Sequence, residues 1–430
     1  MRIAVVGSGV SGLSAAWALC GAHDVVVYER EPRLGGHSHT VEIDYDGATV
    51  AVDTGFIVYN ELNYPNLTAL FAHLGVATKP SEMSFGLSLD GGAFEWSGKT
   101  IGALFAQRRN ILAPSYLWML REVLRFNKLC LADRAAGVLV GLSLGAWLER
   151  RKFAQRFRDD YLLPMAAAIW STPAAHVLDF PAESFVAFFA NHRLINHDRP
   201  VWRTVEGGSR RYVERLTAPF GHAIRSGVAV ARVERDDAGV TVIDAAGGRD
   251  RFDHVIMAAH TDETLAMLAE PDAAERRVLS AIRYRPNDVI LHRDRALMPK
   301  REGVWSAWNY LGSRKDPDAA SRDVAVTYWM NALQGVDPAR PLFVTLNPPF
   351  EPDPAKVFGR YVYDHPQYDA AALAAQRELA DIQGMRRTWF CGAWTGYGFH
   401  EDGLSSGLAV AEALGARTPW RDSGVLAAAE

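Results

Sequence analysis

A glycine motif near the amino terminus is the strongest sign of chemistry in the sequence. Gly7, Gly9 and Gly12 follow the apolar run of residues 2–6 and open a segment rich in Ala and Leu. In a strand–turn–helix unit, the first glycine permits a tight turn, the second lets the backbone approach a pyrophosphate, and the third lets helix and strand pack closely. Glu29 ends the next apolar run, where a carboxylate can accept hydrogen bonds from ribose hydroxyls. The spacing favours dinucleotide binding over a structural glycine turn.

A second pair of glycines favours one dinucleotide. Gly35 and Gly36 lie just beyond the acid, after Arg33. They would let a second loop approach the cofactor, which a simple NAD dehydrogenase does not need. The sequence has no second Gly-x-Gly-x-x-Gly motif for a separate nicotinamide site. Both observations favour FAD, although two glycines in a surface turn are an alternative explanation.

A glycine-rich segment at residues 390–404 points to the same cofactor. It leads into a helix rich in Ala, Gly and Ser, for which Asp402 is the predicted N-cap. A helix N-terminus aimed at the flavin pyrimidine would stabilise the negative charge that develops there on reduction. His400 is the candidate catalytic acid or base, and a polar loop that closes the site is the alternative. Cys391 and His400 leave open whether the flavin is covalently attached.

Composition excludes several other classes of function. The 430 residues carry 46 Lys+Arg against 50 Asp+Glu, a net charge of −4, which argues against nucleic acid as the main partner. The three cysteines are far apart and no metal-ligand spacing occurs, so neither a disulfide framework nor a metal site is predicted. The chain starts on a strand without a signal peptide pattern. We expect a cytoplasmic protein, with attachment to a membrane surface left open.

The order of segments predicts two interleaved domains in an α/β (α+β) fold. Nucleotide-binding patterns occur at both ends and again near residues 207–265, with helical and antiparallel patterns between them. We expect a Rossmann-like FAD-binding domain from residues 1–60, 205–280 and 384–418. A substrate domain of antiparallel sheet plus helices, as in amine oxidases, would use residues 61–204 and 281–383, and residues 419–430 would form a tail.

Local patterns predict several individual elements. Asp46-Gly47 is a favoured hairpin turn between residues 40–45 and 48–52. Asn63 can cap a helix that carries Pro65 in its first turn. Residues 100–192 are mostly helical in pattern, with three or four helices expected. Strands of the second sheet are expected at residues 287–292, 304–310, 324–330 and 342–346.

These motifs together resemble the flavin amine oxidase and phytoene desaturase superfamily over nearly the whole chain. Within it, the sequence is most similar to NAD/FAD-binding proteins often encoded beside cyclopropane-fatty-acid synthases. The segments that carry the second likeness are residues 35–40 (GGHSHT), 170–173 (WSTP), 327–331 (TYWMN), 343–348 (FVTLNP) and 399–403 (FHEDG).

The resemblance implies roles for named residues. Val230 would contact the adenine through its backbone, Gly35 and Gly36 would line the pyrophosphate and ribityl chain, and the N–H of Leu404 would reach the flavin pyrimidine. Ala259 and His260 end a buried strand, where a cofactor edge is expected, with a loop or capping role favoured for His260. The predicted cofactor-binding residues are Gly7, Gly9, Val10, Ser11, Gly12, Glu29, Arg30, Gly35, Gly36, His37, Val230, Ala259, Gly392, Ala393, Gly403 and Leu404.

The sequence also departs from the superfamily pattern. His37 stands where Arg is frequent, and Ala393 follows Gly392 where an acid is usual. Many amine oxidases carry a lysine near flavin N5, and alignment by eye places Asn287 at that position. These departures put amine oxidation by the usual residues in doubt, but not FAD binding.

Aromatic residues suggest a lipophilic substrate, with ordinary core packing as the alternative for each of them. They are Trp394, Tyr397, Phe399, Trp305, Trp308, Tyr310, Tyr328, Trp329, Trp170, Phe185, Phe188 and Phe189. Residues 107–128 mix apolar and basic side chains, as in a helix on an anionic membrane or in an ordinary surface helix.

The leading hypothesis is an FAD-dependent oxidoreductase, an oxidase or desaturase that transfers a hydride from a fatty-acyl or similar lipophilic substrate to flavin N5. The substrate would be a lipophilic small molecule or a phospholipid. The alternatives are an amine oxidase with an atypical site, and a non-catalytic flavoprotein partner of a fatty-acid-modifying methyltransferase.

Overall fold

The computed structural model describes residues 1–196, 200–315 and 323–422. The strands are β1 Arg2–Val6, β2 Asp24–Glu29, β3 Thr40–Tyr45, β4 Ala48–Asp53, β5 Tyr59–Asn60, β6 Thr78–Ser81, β7 Phe85–Leu89, β8 Phe94–Ser97, β9 Trp202–Val205, β10 Ile224–Ser226, β11 Val230–Asp236, β12 Gly239–Asp244, β13 Arg249–Phe252, β14 His254–Met257, β15 Arg283–His292, β16 Trp308–Gly312, β17 Ala325–Trp329, β18 Phe343–Leu346, β19 Val357–Gln367 and β20 Thr388–Phe390. The α-helices are α1 Val10–Leu19, α2 Pro65–Leu74, α3 Ile101–Leu104, α4 Pro114–Ala135, α5 Leu144–Arg150, α6 Gln155–Phe157, α7 Leu163–Trp170, α8 Ala174–Val177, α9 Ala182–Asn191, α10 Arg210–Thr217, α11 Thr261–Met267, α12 Ala273–Ala281, α13 Met330–Leu333, α14 Ala370–Arg377, α15 His400–Ala413 and α16 Pro419–Asp422.

A five-stranded parallel sheet in the order β10-β2-β1-β14-β20 forms one half of the architecture. Its central strands are apolar and almost wholly buried, as expected for a parallel sheet covered on both faces. Helices α1 and α15 pack on one face. The antiparallel sheet β11-β12-β13 and helix α12 pack against the other. The mixed α/β fold predicted from the sequence is confirmed.

A seven-stranded sheet in the order β19-β15-β18-β17-β16-β7-β8 forms the other half. All neighbouring pairs are antiparallel except β16 and β7. Helices α3 to α9 share an aromatic core with one end of this sheet. The helices of residues 100–192 are shorter and more numerous than expected, because Pro173, Pro181 and the left-handed Ser171 separate them.

The structure corrects several local predictions. The helix predicted from residue 403 begins at His400, so Asp402 is its third residue and not its N-cap. Asn63 does not cap α2, whose N-cap is Tyr64. The strand predicted from residue 304 starts at Trp308, and residue 304 ends a short 3-10 helix. The hairpin around Asp46-Gly47 is formed by β3 and β4 as predicted.

The carboxyl-terminal residues are described as far as Asp422. Trp420 of α16 is buried; it stacks on Trp17 and donates a hydrogen bond to Asn66 Oδ1. The rest of the predicted tail lies outside the described residues, and the proposed domain boundaries stay predictions. No helix in the described part of the chain is long and apolar enough to cross a bilayer.

Candidate cofactor cavity and active site

A single cavity of about 1270 Å³ runs from the glycine loop after β1 to the helices of residues 160–194. This volume exceeds the range of about 300–1,000 Å³ typical of small-ligand pockets, so it suits a dinucleotide together with a substrate. Most of the predicted cofactor residues line it, namely Gly7, Gly9, Val10, Ser11, Glu29, Arg30, Gly36, His37, Val230, Ala259, Gly392 and Ala393. Strands from distant parts of the sequence therefore meet around one space.

The three glycines of the motif differ in what surrounds them. Gly7 has a φ of +107°, which a side chain rarely adopts. A Cβ on Gly12 would lie 2.0 Å from the carbonyl oxygen of Gly7, so only glycine allows the strand and α1 to pack. A Cβ on Gly9 would meet no protein atom within 4 Å. Gly9 thus presents bare backbone to the cavity at the N-terminus of α1, an arrangement that fits a phosphate.

Glu29 lies on the cavity wall at the carboxyl end of β2. Its Oε2 accepts hydrogen bonds from the N–H of Ser8 at 2.9 Å and from Ser8 Oγ at 2.6 Å. Its Oε1 accepts from the N–H of Glu31. The carboxylate is therefore held in place, with lone pairs left for ribose hydroxyls. These residues fit an FAD adenosine at this end.

Replacing Glu29 with alanine is expected to lower FAD affinity about 10- to 100-fold, because charge-assisted hydrogen bonds contribute roughly 1.5–3 kcal/mol. Fluorescence titration of the apoprotein with FAD measures the effect. Glu29→Gln keeps the shape of the side chain and one acceptor oxygen, so its loss of FAD affinity should be smaller. Full FAD occupancy of the alanine variant after gel filtration would refute the ribose role.

Four predicted cofactor residues do not line the cavity: Gly12, Gly35, Gly403 and Leu404. Gly35 donates its N–H to the carbonyl of Ser8, which ties the second glycine loop to the first. Leu404 is the fifth residue of α15 and its side chain is fully buried. The N–H groups of a helix without an intrahelical partner belong to its first turn, so those of residues 400–402 are better placed than that of Leu404 to donate to a flavin, and the flavin contact stays a prediction.

His400 borders the cavity within a polar network. Its Nε2 lies 2.6 Å from the hydroxyl of Tyr212 and 3.0 Å from Ser38 Oγ, and its ring stacks on Phe56. Burial lowers the pKa of His400 to about 3, so the imidazole is neutral at pH 7 and is not an imidazolium acid. These contacts orient the ring; a catalytic role for His400 stays a prediction.

The two acids that follow His400 hold the α15 N-terminus. Glu401 accepts hydrogen bonds from the N–H groups of Asn66 and Leu67, and so caps α2 from a distant part of the sequence. Asp402 accepts from the N–H groups of Tyr397 and Phe399 at 3.0 and 2.9 Å. Sequence analysis missed the Glu401 cap because it depends on a tertiary contact.

Asp402 should make stability depend on pH. Burial raises the pKa of this carboxyl from 3.8 to about 6, so the folded state holds a proton that the unfolded state releases. The stabilisation is present in full below about pH 4 and is lost as pH rises to about 6 and above, a change of up to roughly 3 kcal/mol. Urea denaturation of the wild type and Asp402→Asn checks this. As pH falls, the free energy of unfolding of the wild type should rise relative to that of Asp402→Asn. A difference between the two proteins that does not change with pH would contradict the assignment.

Several histidines line the cavity, and they were only partly anticipated. The rings of His37 and His365 lie 5.6 Å apart, and His260 stacks on Tyr284 at 4.2 Å. Burial lowers the pKa of His365 to about 4 and that of His37 well below its usual value. His37 Nε2 is buried without a partner among the described residues. The side chain of His260 makes no capping bond to α11.

β19 contributes residues that sequence analysis missed. Tyr361, Tyr363 and His365 alternate along this strand, and all line the cavity. The hydroxyl of Tyr363 bonds to His39 Nδ1 and Thr54 Oγ1. The period-two spacing of these rings was the available signal.

The far end of the cavity is an aromatic chamber. The ring of Phe188 lies 4.6 Å from Trp170, 5.2 Å from Phe399 and 5.7 Å from Tyr397. Predicted aromatic residues on the cavity wall are Trp170, Phe188, Trp308, Tyr328, Trp394, Tyr397 and Phe399. The others pack elsewhere: Phe185, Phe189, Trp305, Tyr310 and Trp329.

Asn287 does not lie on the cavity wall. It is buried in β15, where its amide bonds to the carbonyls of Arg285 and Tyr363 and to Asn347. Its side chain links strands, and the cavity lining gives no support to its expected place beside flavin N5. No lysine is found among the described residues of the wall.

Covalent attachment through Cys391 does not fit the geometry. The thiol is fully buried in the core beside α1 and does not line the cavity. Burial raises its pKa to about 12, which keeps it a thiol at neutral pH. No cluster of His, Cys, Asp and Glu suited to a metal occurs among the described residues.

Known structures share this architecture. Putrescine oxidase bound to putrescine superposes with a TM-score of 0.69 at 18% identity, over 96% of this chain and 99% of that chain. A fatty acid isomerase from P. acnes gives 0.67 at 15% identity, over 96% and 97%. Cyclohexylamine oxidase from Brevibacterium oxydans gives 0.67 at 16% identity, over 96% and 99%. At these identities the likeness shows the fold.

Sequence comparison gives the family. A flavin-containing monoamine oxidase, AofH, of Mycobacterium tuberculosis is 28% identical over 257 residues, which are 57% of this chain and 54% of that protein. The chain thus spans about half the length of the curated relatives it matches. A family model described as flavin containing amine oxidoreductase matches residues 10–349, and it confirms the predicted flavin cofactor. The chain therefore belongs to the flavin containing amine oxidoreductase family.

Proposed function

We propose that the protein is an FAD-dependent oxidoreductase that oxidises or desaturates a lipophilic substrate, most simply a fatty-acyl chain. The observation that carries the proposal is the aromatic chamber, whose described wall has no lysine. The carboxylates of the cavity wall are Glu29, Glu31 and Glu263, near the dinucleotide loop, and Asp364 on β19. An apolar chain can be buried in such a chamber without leaving a charge unpaired.

The chain's own residues would have three tasks. The loop of residues 7–12 and Glu29 would hold the phosphates and ribose of FAD, which when bound accepts a hydride from a substrate C–H bond. Trp170, Phe188 and Phe399 would orient an apolar chain and exclude water. The buried histidines would remain neutral at pH 7, so that the site carries little charge when the substrate is bound.

The second candidate is an amine oxidase with an atypical site. The family match and the relatives named above favour it. Asp364 would then be the available anion for an ammonium group. The third candidate, a flavoprotein that assists a fatty-acid-modifying methyltransferase without catalysis, rests on the sequence resemblance alone.

Anaerobic reduction of the FAD-loaded protein tests the proposal. We expect the flavin absorbance to bleach with phospholipid vesicles or free fatty acids and to persist with putrescine or cyclohexylamine. Bleaching by amines alone would establish the second candidate. No bleaching by any donor, with retained binding of the methyltransferase, would leave the third.

A chamber-filling variant sharpens the experiment. Ile169 lies on the cavity wall at the end of α7. Ile169→Trp should slow bleaching by lipid while FAD content stays unchanged. Met385→Trp adds the same side chain at an exposed position away from the cavity, and serves as the control. Equal rates in both variants would show that the chamber does not hold the substrate.

A further inference from the structure

Exposed apolar side chains are concentrated on one part of the helical region. Of the fourteen large hydrophobic residues exposed in the described part of the chain, eight lie between residues 101 and 140. They are Ile101, Ile111, Leu112, Leu117, Trp118, Leu124, Leu131 and Val140. Isolated apolar residues on a surface are ordinary, but a group of this size usually marks an interaction site.

The centre of this group is the outer face of α4. Leu117, Leu124 and Leu131 are seven residues apart and are 43%, 64% and 51% exposed. Two turns of helix separate each from the next, so the three form one row along α4. The opposite side of the helix carries the buried Tyr116, Met119, Phe126 and Cys130, which join the aromatic core. The three leucines are therefore not needed to pack α4 against the aromatic core.

Basic residues alternate with the leucines. Arg121 and Lys128 lie between successive leucines of the row and are exposed. Arg121 packs over the ring of the exposed Trp118, and neither base has a carboxylate partner among the described residues. We call Leu117, Trp118, Arg121, Leu124, Lys128 and Leu131 the α4 face.

The acids of α4 do not offset this charge. Glu122 and Asp133 are its only carboxylates, and both are buried. Glu122 pairs with Arg125, and Asp133 pairs with Arg151. The outward charge of the helix is thus wholly positive, and Arg108 and Arg109 extend it at the amino-terminal end.

We propose that the α4 face docks on the surface of an anionic lipid bilayer. Leucine and tryptophan side chains would enter the boundary between headgroups and acyl chains, while Arg121 and Lys128 would pair with lipid phosphates. A second copy of this chain is a poor occupant, because a two-fold contact would place these bases against themselves. The proposal does not depend on the substrate and goes beyond the proposed oxidation.

Vesicle flotation with the FAD-loaded full chain tests this surface. We expect binding to vesicles of phosphatidylcholine mixed with phosphatidylglycerol, weak binding to phosphatidylcholine alone, and release at high salt. Arg121→Gln with Lys128→Gln should lower affinity for the anionic vesicles about five-fold per residue removed. Leu117→Gln, Leu124→Gln and Leu131→Gln combined should abolish flotation.

The control changes exposed apolar residues elsewhere. Phe350→Gln with Met385→Gln alters two side chains of similar exposure outside the α4 face and should leave flotation unchanged. Circular dichroism and FAD content verify that each variant is folded. Equal binding to both vesicle types, no binding to either, or a dimer that the triple leucine variant dissociates would each overturn the proposal.

Discussion

Replacing Gly9 with alanine is expected to lower FAD affinity by at least about 100-fold, or roughly 2.7 kcal/mol, with little change in the apoprotein. The backbone of Gly9 has φ −66° and ψ 176°, which alanine adopts freely, and the added methyl group meets no protein atom within 4 Å. It would instead occupy the space proposed for the pyrophosphate. Titration with FAD and thermal unfolding of the apoprotein measure the two effects separately.

Two other glycines provide matched comparisons. Gly12→Ala places a Cβ 2.0 Å from a carbonyl oxygen, so it should destabilise the apoprotein itself by about 3 kcal/mol or more. Gly21→Ala adds a methyl group to open space beyond α1, so it should change neither the FAD affinity nor the stability of the apoprotein. If Gly9→Ala binds FAD like the wild type, the pyrophosphate does not cross Gly9.

Replacing Glu275 with glutamine is expected to destabilise the protein by about 3–5 kcal/mol. Arg235 and Glu275 form an ion pair whose side chains are 1% and 0% exposed. Arg235 also donates to the carbonyl of Glu270 at 2.8 Å, and Glu275 accepts from the N–H of Asp272. Loss of the carboxylate charge would leave a buried guanidinium without its counter-ion. Urea denaturation of the apoprotein gives the change in free energy of unfolding.

The double variant Arg235→Met with Glu275→Leu is the control for this pair. Apolar side chains of similar volume often replace a buried ion pair at small cost, so the double variant should be more stable than Glu275→Gln alone. Since Arg235 lies on β11, the strand that begins at Val230, the single variant should also retain FAD less well. A double variant at least as unstable as the single one would show that the pair itself provides the stability.

Local sequence signals predicted the elements with strong periodicity. The apolar runs of β1, β2 and β14, the glycine turn and the β3–β4 hairpin depend on short-range patterns, and each occurs at its expected place. The strands that were not predicted include β8 and β19, which are the two edges of the seven-stranded sheet. Edge strands are often less apolar than central ones, so hydrophobicity alone does not reveal them.

The parts of the candidate site that depend on local backbone conformation were predicted from the sequence. The parts that depend on tertiary contacts were missed. Glycines constrain their own turns, so the loop of residues 7–12 could be assigned from the sequence. His365 reaches the cavity only because β19 pairs with β15, and Glu401 caps a helix more than 300 residues away. The start of α15 was misplaced because Asp402, a common N-cap residue, here accepts from Phe399 as the third residue of the helix.

The strand order of the parallel sheet affects how the chain folds during translation. β14 leaves the ribosome well before β20, the strand with which it pairs. At about 5–20 residues per second, roughly 7–26 s separate the synthesis of β14 from that of β20. Over that interval β14 has an open apolar edge, a template for aggregation. Recombinant yield should therefore improve with added chaperones.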